Sequence, residues 1–245
     1  MLPRFLVPDL DAGRADVALP RDEAHHLSRV LRMKAGDEIA VFDGRGLEYR
    51  ARVASIARDA VTVSLQDPLP PVPSPAVRLT LVQAILKTDA MDEAVRDATM
   101  IGVESIQPVL SERTTVKASL AGRSAERWRR VALASTKQCG RSRLPTVHEV
   151  TSFEEWVGRG DSDSAFILLE PSAAVPDTVR IRDLARAAAP ARATLVVGPE
   201  GGWTPEERDR AIRAGCRPLS LGRLTLRADA VPLAAAATLL AVWEE

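Results

Sequence analysis

The first third of the chain alternates hydrophobic and polar positions in short runs. Glu38–Phe42, Leu47–Ile56 and Ala60–Leu65 are rich in valine, isoleucine and alternating residues, and Asp43-Gly44 separates the first two. A period of two, interrupted by a glycine turn, is typical of antiparallel strands joined by tight turns. We therefore predict a small β-barrel or meander here, preceded by a short helix over His25–Leu31.

A proline-rich segment follows this region. Residues 67–75 contain five prolines in nine positions. Proline fixes φ and cannot donate a backbone hydrogen bond, so this stretch is expected to be a stiff, extended connector. It divides the chain into a predicted domain over residues 1–72 and a second over residues 73–245.

Downstream of the connector, short apolar runs alternate with helical patterns. The strand candidates are Arg78–Ile85, Ser105–Leu110, Ala165–Leu169, Thr194–Val197 and Pro218–Leu221. The helix candidates are Asp89–Ile101, Ala125–Cys139, Ser152–Val157, Ile181–Ala189, Pro205–Ala214 and Asp229–Trp243. Alternation of this kind predicts an α/β domain whose mostly parallel sheet is covered by helices on both faces.

Two glycine-rich turns follow strand candidates near the C-terminus. Leu195–Val197 leads into Gly198–Gly202, with the sequence GPEGG, and Pro218–Leu221 leads into Gly222. Each turn alone is more commonly an ordinary strand–helix connection. At one edge of a parallel sheet, however, the pair favours a small-molecule site, because a backbone without side chains can approach a ligand closely.

The helix between these turns carries its own boundary signals. Thr204 and Glu207 predict a capping box with Pro205 at the first helical position, and Gly215 is expected to end the helix. Neither glycine turn matches the dinucleotide fingerprint or the P-loop motif. The sequence therefore argues against a Rossmann dehydrogenase and against a P-loop NTPase.

Six separated motifs run along most of the chain: HHLSRVLR at 25–32, QAILKTDAMD at 83–92, SER at 111–113, QCGR at 138–141, GPEGG at 198–202 and LGRLTLR at 221–227. Together they resemble one known family, the RsmE ribosomal RNA methyltransferases of the SPOUT superfamily. Three segments depart from the family pattern. Asp229-Ala230-Val231 stands in place of Glu-Thr-Ala, Met100-Ile101 in place of Glu-Leu, and Lys137 in place of an acidic residue.

The resemblance implies a fold and a cofactor. The implied fold is a PUA-like RNA-binding β-barrel followed by a SPOUT domain, whose C-terminal part forms a trefoil knot and binds S-adenosylmethionine. The implied cofactor-binding residues are Leu169, Glu170, Gly198, Pro199, Glu200, Gly201, Gly202, Leu221, Gly222, Leu224, Leu226 and Arg227.

The reaction implied by the resemblance is methylation of uridine N3 in 16S ribosomal RNA, at position 1498. Because N3 must lose a proton, Arg227 and Glu200 are the catalytic candidates, with Asp229 behind them. Each has an ordinary alternative. Glu200 is equally suited to a helix N-terminus, and Arg227 to a helix C-terminus or a partner subunit.

The resemblance also implies partners, namely 16S ribosomal RNA within the 30S subunit and a second copy of the chain in a homodimer. The implied RNA-binding residues are Arg4, His26, Arg29, Arg32, Lys87, Arg113 and Arg141. Arg29 and Arg32 are three positions apart and would share one face of a continuous helix. The apolar segment Ala230–Trp243 is a candidate for packing against a partner.

The overall charge balance of the chain does not favour RNA binding. The 245 residues carry 33 Lys/Arg and 33 Asp/Glu, for a formal net charge of zero. Between Arg113 and Arg143, however, nine basic residues face a single acid, Glu126. Such a segment fits phosphate binding, although a solvated helix face is the equal alternative.

The remaining composition narrows the class of protein. No apolar stretch is long enough to span a bilayer and no signal pattern opens the chain, so we expect a cytoplasmic protein without membrane contact. Cys139 and Cys216 are far apart, and with three histidines they predict no metal site. The alternatives to uridine methylation are a SPOUT methyltransferase for another base or ribose, and a non-catalytic RNA-binding assembly factor.

Overall fold

The computed structural model describes residues 2–57, 60–116, 118–160, 164–173 and 175–243, without the side chains of 88 and 118–123. The chain separates into two compact units. The first contains Met1–Pro73 together with Thr136–Leu144, and the second contains Ser74–Ser135 and Pro145–Glu245. Thr136–Leu144 lies beyond the boundary predicted at residue 72, yet it packs with the N-terminal unit.

The first unit is built on a five-stranded curled sheet. Its strands are β1 (Arg4–Leu6), β2 (Asp16–Ala18), β3 (Glu38–Phe42), β4 (Glu48–Ile56) and β5 (Val61–Pro68). They lie in the order β1-β3-β4-β5-β2, and all neighbours are antiparallel except β1 and β3. The three predicted strands are confirmed. Strands β1 and β2 were not predicted, because three residues are too few to show a period.

Hydrophobic and polar residues alternate along these strands, so the hydrophobic side chains lie on one face of the sheet and form the core. Ile39, Val41, Val53 and Val63 are almost fully buried and pack together. Gly44, in the turn between β3 and β4, has φ of 76°, which a residue with a Cβ rarely adopts. The predicted turn between these strands is therefore confirmed.

The predicted helix over His25–Leu31 is present in altered form. Helix α1 (Arg21–His25) continues directly into a π-helical turn over His26–Val30. Arg32 lies beyond that turn with φ of 54°. The prediction that Arg29 and Arg32 share a helix face is therefore wrong, because the helix ends between them.

The second unit is an α/β domain, as predicted. In chain order its elements are β6 (Arg78–Ala84), α2 (Thr88–Ile101), β7 (Ser105–Leu110), α3 (Ala118–Cys139), β8 (Thr146–Val147), β9 (Thr151–Ser152), α4 (Phe153–Gly158), β10 (Ala165–Leu168), a 3₁₀ turn (Pro171–Ala173), α5 (Ile181–Leu184), β11 (Arg192–Val197), α6 (Pro205–Arg213), β12 (Arg217–Leu219) and α7 (Val231–Trp243). The strands lie in the order β12-β10-β11-β6-β7-β8, with β9 also paired to β7, and every pair is parallel.

Helices cover both faces of this sheet. Val82, Ile167 and Val196 pack on the side that carries α4 and α6. On the other side α7 packs against α2, β6 and β11, and the Trp243 and Phe166 rings lie 6.1 Å apart. Burial on both faces explains why the strands show continuous apolar runs rather than alternation. The trefoil knot implied by the resemblance stays a prediction.

The local boundary signals of α6 are confirmed. The Thr204 side chain accepts a hydrogen bond from the Glu207 amide, and the Glu207 carboxylate accepts one from the Thr204 amide. Gly215 follows the helix with φ of 97°. Helix α3 begins at Ala118 rather than Ala125, and α5 ends at Leu184 rather than Ala189.

Candidate active site

The carboxyl ends of β11, β10 and β12 lie side by side and open into one cleft of about 300 Å³. Three segments form its walls: Leu168–Ala173 after β10, Val197–Pro205 after β11, and Ser220–Val231 after β12. The predicted meeting of two glycine loops at one sheet edge is therefore confirmed. Strand β10, between them, contributes the third wall.

Most of the predicted cofactor residues line this cleft. They are Leu169, Glu170, Gly198, Pro199, Glu200, Gly202, Leu221, Gly222, Leu224 and Leu226. Gly201 and Arg227 do not line it. Sequence reasoning missed Arg113 and Arg208 as wall residues, because their positions depend on how neighbouring loops meet.

Gly201, Gly202 and Gly222, from the two glycine loops, differ in their surroundings. Gly202 has φ of 67°, and a Cβ placed on it would lie 2.6 Å from the Glu170 carboxylate oxygen Oε1. A Cβ on Gly201 would lie 3.3 Å from the Arg113 side chain. A Cβ on Gly222 would meet nothing within 4 Å. Only Gly202 combines a left-handed backbone with a close contact.

Hydrogen bonds from the loops after β6 and β7 hold the GPEGG segment in place. The Lys87 amide donates to Glu200 Oε1 at 3.1 Å, and Arg113 Nη1 donates to the Gly201 carbonyl at 2.8 Å. The Glu112 amide donates to Glu207 Oε1 at 2.8 Å. The loops after β6 and β7 therefore fix the loop after β11. Lys87 and Arg113, predicted as RNA contacts, lie on these loops.

Two buried polar groups lie beneath the same loop. Gln83 is fully buried, and its Nε2 donates to the carbonyl oxygens of Ala84 and, at 3.4 Å, Gly198. Trp203 packs on Phe153, with ring centroids 4.4 Å apart. Within the described residues, Gln83 Oε1 and Trp203 Nε1 are buried without a hydrogen-bond partner. Trp203 is therefore a wall of the cleft with an unused donor.

The charged side chains around the cleft are two arginines and two glutamates. Arg113 is bound to the Gly201 carbonyl, Arg208 to Asp209 at 2.8 Å, and Glu200 to the Lys87 amide. The Glu170 carboxylate, in contrast, makes no hydrogen bond or ion pair with any residue that the structure describes, and Glu170 lines the cleft. This carboxylate is therefore available to a ligand.

Arg227, a catalytic candidate, lies on the wall segment but turns outward. Its guanidinium donates to Asp229 at 2.9 Å, and its side chain is 83% exposed. The hydrogen bond with Asp229 raises the pKa of Arg227, and the same bond lowers the pKa of Asp229. Leu226 and Ala228 on either side line the cleft. Arg227 is therefore a charged, accessible group beside the cleft.

Arg4, predicted as an RNA contact, is a buried structural residue. Its guanidinium forms a two-pronged ion pair with Glu48, with both contacts at 2.8 Å, and its side chain is 4% exposed. The same group donates to the carbonyl oxygens of Thr136 at 2.7 Å and Arg141 at 2.8 Å. The prediction is wrong for Arg4, because its donors are consumed inside the N-terminal unit.

The other N-terminal candidates are exposed, and the structure adds two residues to them. His26, Arg29 and Arg32 are exposed. Arg29 also lines a pocket of about 190 Å³ together with Arg21, His25 and Ser28. Arg21, His25 and Arg29 follow each other at intervals of four, which places them on one helix face. The sequence already contains that spacing. The prediction chose His26 instead, because it belongs to the double histidine motif.

The basic segment 113–143 is much less positive in space than in sequence. Arg127 pairs with Asp92, Arg129 with Glu126 and Glu149, and Lys137 with Glu23 at 2.6 Å. Arg141 is half-buried, and Lys117 and the Arg123 side chain lie outside the described residues. The predicted local excess of positive charge is therefore reduced in space, because Asp89, Asp92, Glu149 and Glu23, which lie elsewhere in the sequence, pair with three of these basic residues.

Across the described residues, no group of three or more His, Cys, Asp or Glu side chains is arranged to hold a metal ion. Within the same part of the chain, every helix is too short or too polar to cross a bilayer.

Family models match both units. A model described as RNA methyltransferase domain matches residues 73–240, and one described as RNA methyltransferase PUA domain matches residues 19–66. The ribosomal RNA small subunit methyltransferase E of Synechocystis sp. is 34% identical, over 98% of this chain and 78% of its own length. The protein of the same name from Mycobacterium bovis is 30% identical, over 98% and 93%.

Solved structures of methyltransferases are also similar to this chain. The ribosomal RNA small subunit methyltransferase E of Neisseria gonorrhoeae, bound to S-adenosyl methionine, superposes with a TM-score of 0.89 at 29% identity, covering 99% of this chain and 98% of its own. A methyltransferase of Legionella pneumophila, in complex with the same cofactor, superposes with a TM-score of 0.89 at 25% identity, covering 98% of each chain.

Proposed function

The chain belongs to the ribosomal RNA small subunit methyltransferase E family, and from that membership we propose that it methylates N3 of a uridine in 16S ribosomal RNA with S-adenosylmethionine. The observation that carries the proposal is the cleft at the ends of β10, β11 and β12. Relatives of the same fold bind S-adenosylmethionine.

The walls of the cleft fit this cofactor. Its volume of about 300 Å³ is in the range of small-molecule sites. The glycine loops offer backbone groups to a nucleoside, and the Glu170 carboxylate has no protein partner among the described residues. Leu169, Leu221, Leu224 and Leu226 add apolar surface.

When bound, the cofactor supplies an activated methyl group, and the protein must supply a uridine N3 that has lost its proton. A guanidinium beside the base favours the anionic form, and Arg227 is our candidate for that group. Glu200 is the candidate proton acceptor, since only its Oε1 is engaged, by the Lys87 amide.

The proposal predicts a defined nucleoside change in cells. Ribosomal RNA from a strain lacking this protein should lose N3-methyluridine from the small subunit, as measured by nucleoside mass spectrometry. Purified protein and S-adenosylmethionine should restore it on 30S subunits or on naked 16S RNA. Restoration of a different methylated nucleoside would reassign the base, and cofactor binding without any methylation would indicate an assembly factor.

Arg227→Ala should lower kcat and kcat/KM together by about 100-fold, because its interaction with the uridinate strengthens as the proton leaves. Raising the pH should partly rescue the variant, since the base then ionises with less help. Asp229→Asn is the control, because it removes the partner of Arg227 and keeps the guanidinium. A fall in RNA or cofactor affinity that matches the lost rate would make Arg227 a binding contact.

We propose that the pocket formed by Arg21, His25, Ser28 and Arg29 contacts RNA phosphates, as do His26 and Arg32. Among the described residues, Arg21, His25 and Arg29 form no ion pair, whereas Arg4, Arg50, Arg52 and Arg127 do. Cations without protein partners are available for phosphate oxygens.

Arg21→Gln and Arg29→Gln should each flatten the salt dependence of RNA binding. The slope of log K against log salt is expected to change by about 0.7–0.9 per lost contact. Arg14→Gln is the control, since Arg14 is an exposed arginine of the same unit that pairs with Asp11. Equal slopes for all three variants would mean that Arg21 and Arg29 lie on a solvated helix face and do not contact phosphates.

We further propose a homodimer that acts in the cytoplasm, where ribosomal subunits assemble. Leu224 is 83% exposed, Leu226 is 42% exposed, and Leu233 at the start of α7 is 38% exposed. These side chains offer an apolar surface to a second copy, while Ala235, Leu239 and Leu240 of α7 are already buried within the subunit.

A further inference from the structure

Glu170 lines the cleft in which we propose that S-adenosylmethionine binds, and the following inference rests on that binding. We propose that its carboxylate selects for the positive charge of that cofactor and thereby favours S-adenosylmethionine over the demethylated product, S-adenosylhomocysteine. The reactant carries a sulfonium, whereas the product carries a neutral thioether. The two molecules are otherwise closely similar in shape, so charge is the property by which a site can distinguish them.

The first supporting observation is that Glu170 is free while the other charged wall residues are occupied. Arg113, Arg208 and Glu200 each have a protein partner within 3.1 Å. In the part of the chain that the structure describes, the Glu170 side chain has none. An unpaired carboxylate in a ligand cleft is stabilised when a cation enters, and it gains nothing from a neutral group.

The second observation is that the fold holds this carboxylate against the glycine loop. Glu170 follows β10, the strand between the two loop-bearing strands. Gly202 has a left-handed backbone, and a Cβ there would lie 2.6 Å from Glu170 Oε1. Because Gly202 has no Cβ, the Glu170 carboxylate can lie beside the loop. An exposed carboxylate of the cleft lining therefore lies next to the Gly198–Gly202 loop.

The preference for the charged reactant has a consequence for turnover. Transfer of the methyl group to the base cancels the positive charge, so the attraction to Glu170 disappears when the product forms. The same attraction is also lost progressively in the transition state, so it contributes to binding rather than to the chemical step. Glu170 therefore aids product exchange and is not expected to raise kcat for the methyl transfer itself.

The test compares three nucleosides by calorimetric titration against wild type and Glu170→Gln. S-adenosylmethionine and sinefungin, whose amine replaces the sulfonium methyl group, both carry a positive charge at this position, and S-adenosylhomocysteine does not. For charges a few ångström apart near a protein surface, we expect affinity for the two cations to fall about tenfold in Glu170→Gln, with little change for S-adenosylhomocysteine. Glu170→Asp, which keeps the charge, should retain much of the preference.

Control variants and alternative outcomes separate the explanations. Glu206→Gln removes a negative charge from the first turn of α6, outside the cleft lining, and should leave all three affinities unchanged. Equal losses for all three nucleosides in Glu170→Gln would overturn the inference, since the carboxylate would then bind the shared ribose or amino-acid portion. Wild-type protein that binds none of the three would instead contradict the proposed function.

Discussion

Gly202→Val is expected to reduce the affinity for S-adenosylmethionine by at least about 100-fold. A branched side chain at φ of 67° is strained, and its Cβ would lie 2.6 Å from Glu170 Oε1. Either the loop or the carboxylate must move, and both line the cleft. A loss of this size corresponds to about 2.7 kcal/mol of binding free energy. Calorimetric titration of the folded variant measures it.

Gly215→Val is the matched control for backbone strain. Gly215 also has a left-handed backbone, with φ of 97°, but a Cβ there would meet nothing within 4 Å and the residue does not line the cleft. This variant should lose stability, by roughly 1–2 kcal/mol, and keep its cofactor affinity. If both valine variants bind S-adenosylmethionine with near-wild-type affinity, the glycine-loop cleft is not the cofactor site.

The contrast among the glycines shows what the sequence could and could not predict about the site. The motif GPEGG and the strand before it were sufficient to predict a turn at a sheet edge, because strand runs and capping boxes are local patterns. They did not show that Gly202 combines a left-handed backbone with a close contact to Glu170, whereas Gly222 has open space around it. That distinction depends on Glu170, which is more than thirty positions away and reaches the loop only because β10 lies beside β11.

The sequence also could not show how charges are paired in the folded protein. Counting basic residues between Arg113 and Arg143 predicted an RNA-binding segment, yet Asp92, Glu149 and Glu23 neutralise part of it in space. These acids come from other elements, and no local pattern identifies them as partners. Conversely, the i, i+4 spacing of Arg21, His25 and Arg29 was local and could have been read from the sequence.

Arg4→Met should destabilise the N-terminal unit by about 3–5 kcal/mol, because removing one member of a buried ion pair leaves the other charge buried and unpaired. The Glu48 side chain is only 8% exposed. The Thr136 and Arg141 carbonyl groups also lose their charged donor. Urea unfolding of wild type and variant, followed by a probe in this unit such as the single tyrosine, Tyr49, measures the difference.

The position of Arg4 explains why the effect should extend beyond one ion pair. Its guanidinium connects β1 with β4 through Glu48 and with the segment Thr136–Leu144 through three carbonyl groups, those of Thr136, Lys137 and Arg141. That segment lies far along the chain from the rest of the unit, so few local contacts restore it once the guanidinium is gone. We therefore expect proteolysis of Arg4→Met to begin within this segment under conditions in which wild type is resistant.

Arg52→Met provides the comparison that decides whether burial is the cause. Arg52 pairs with Glu38 at 3.0 Å in the same unit, but their side chains are 50% and 40% exposed. An exposed pair contributes about 0–1 kcal/mol, since water solvates the remaining charge. Similar losses for the two variants would mean that the Arg4–Glu48 pair is no more costly to break than a surface pair. Glu48→Leu added to Arg4→Met should recover part of the loss, because it removes the unpaired carboxylate.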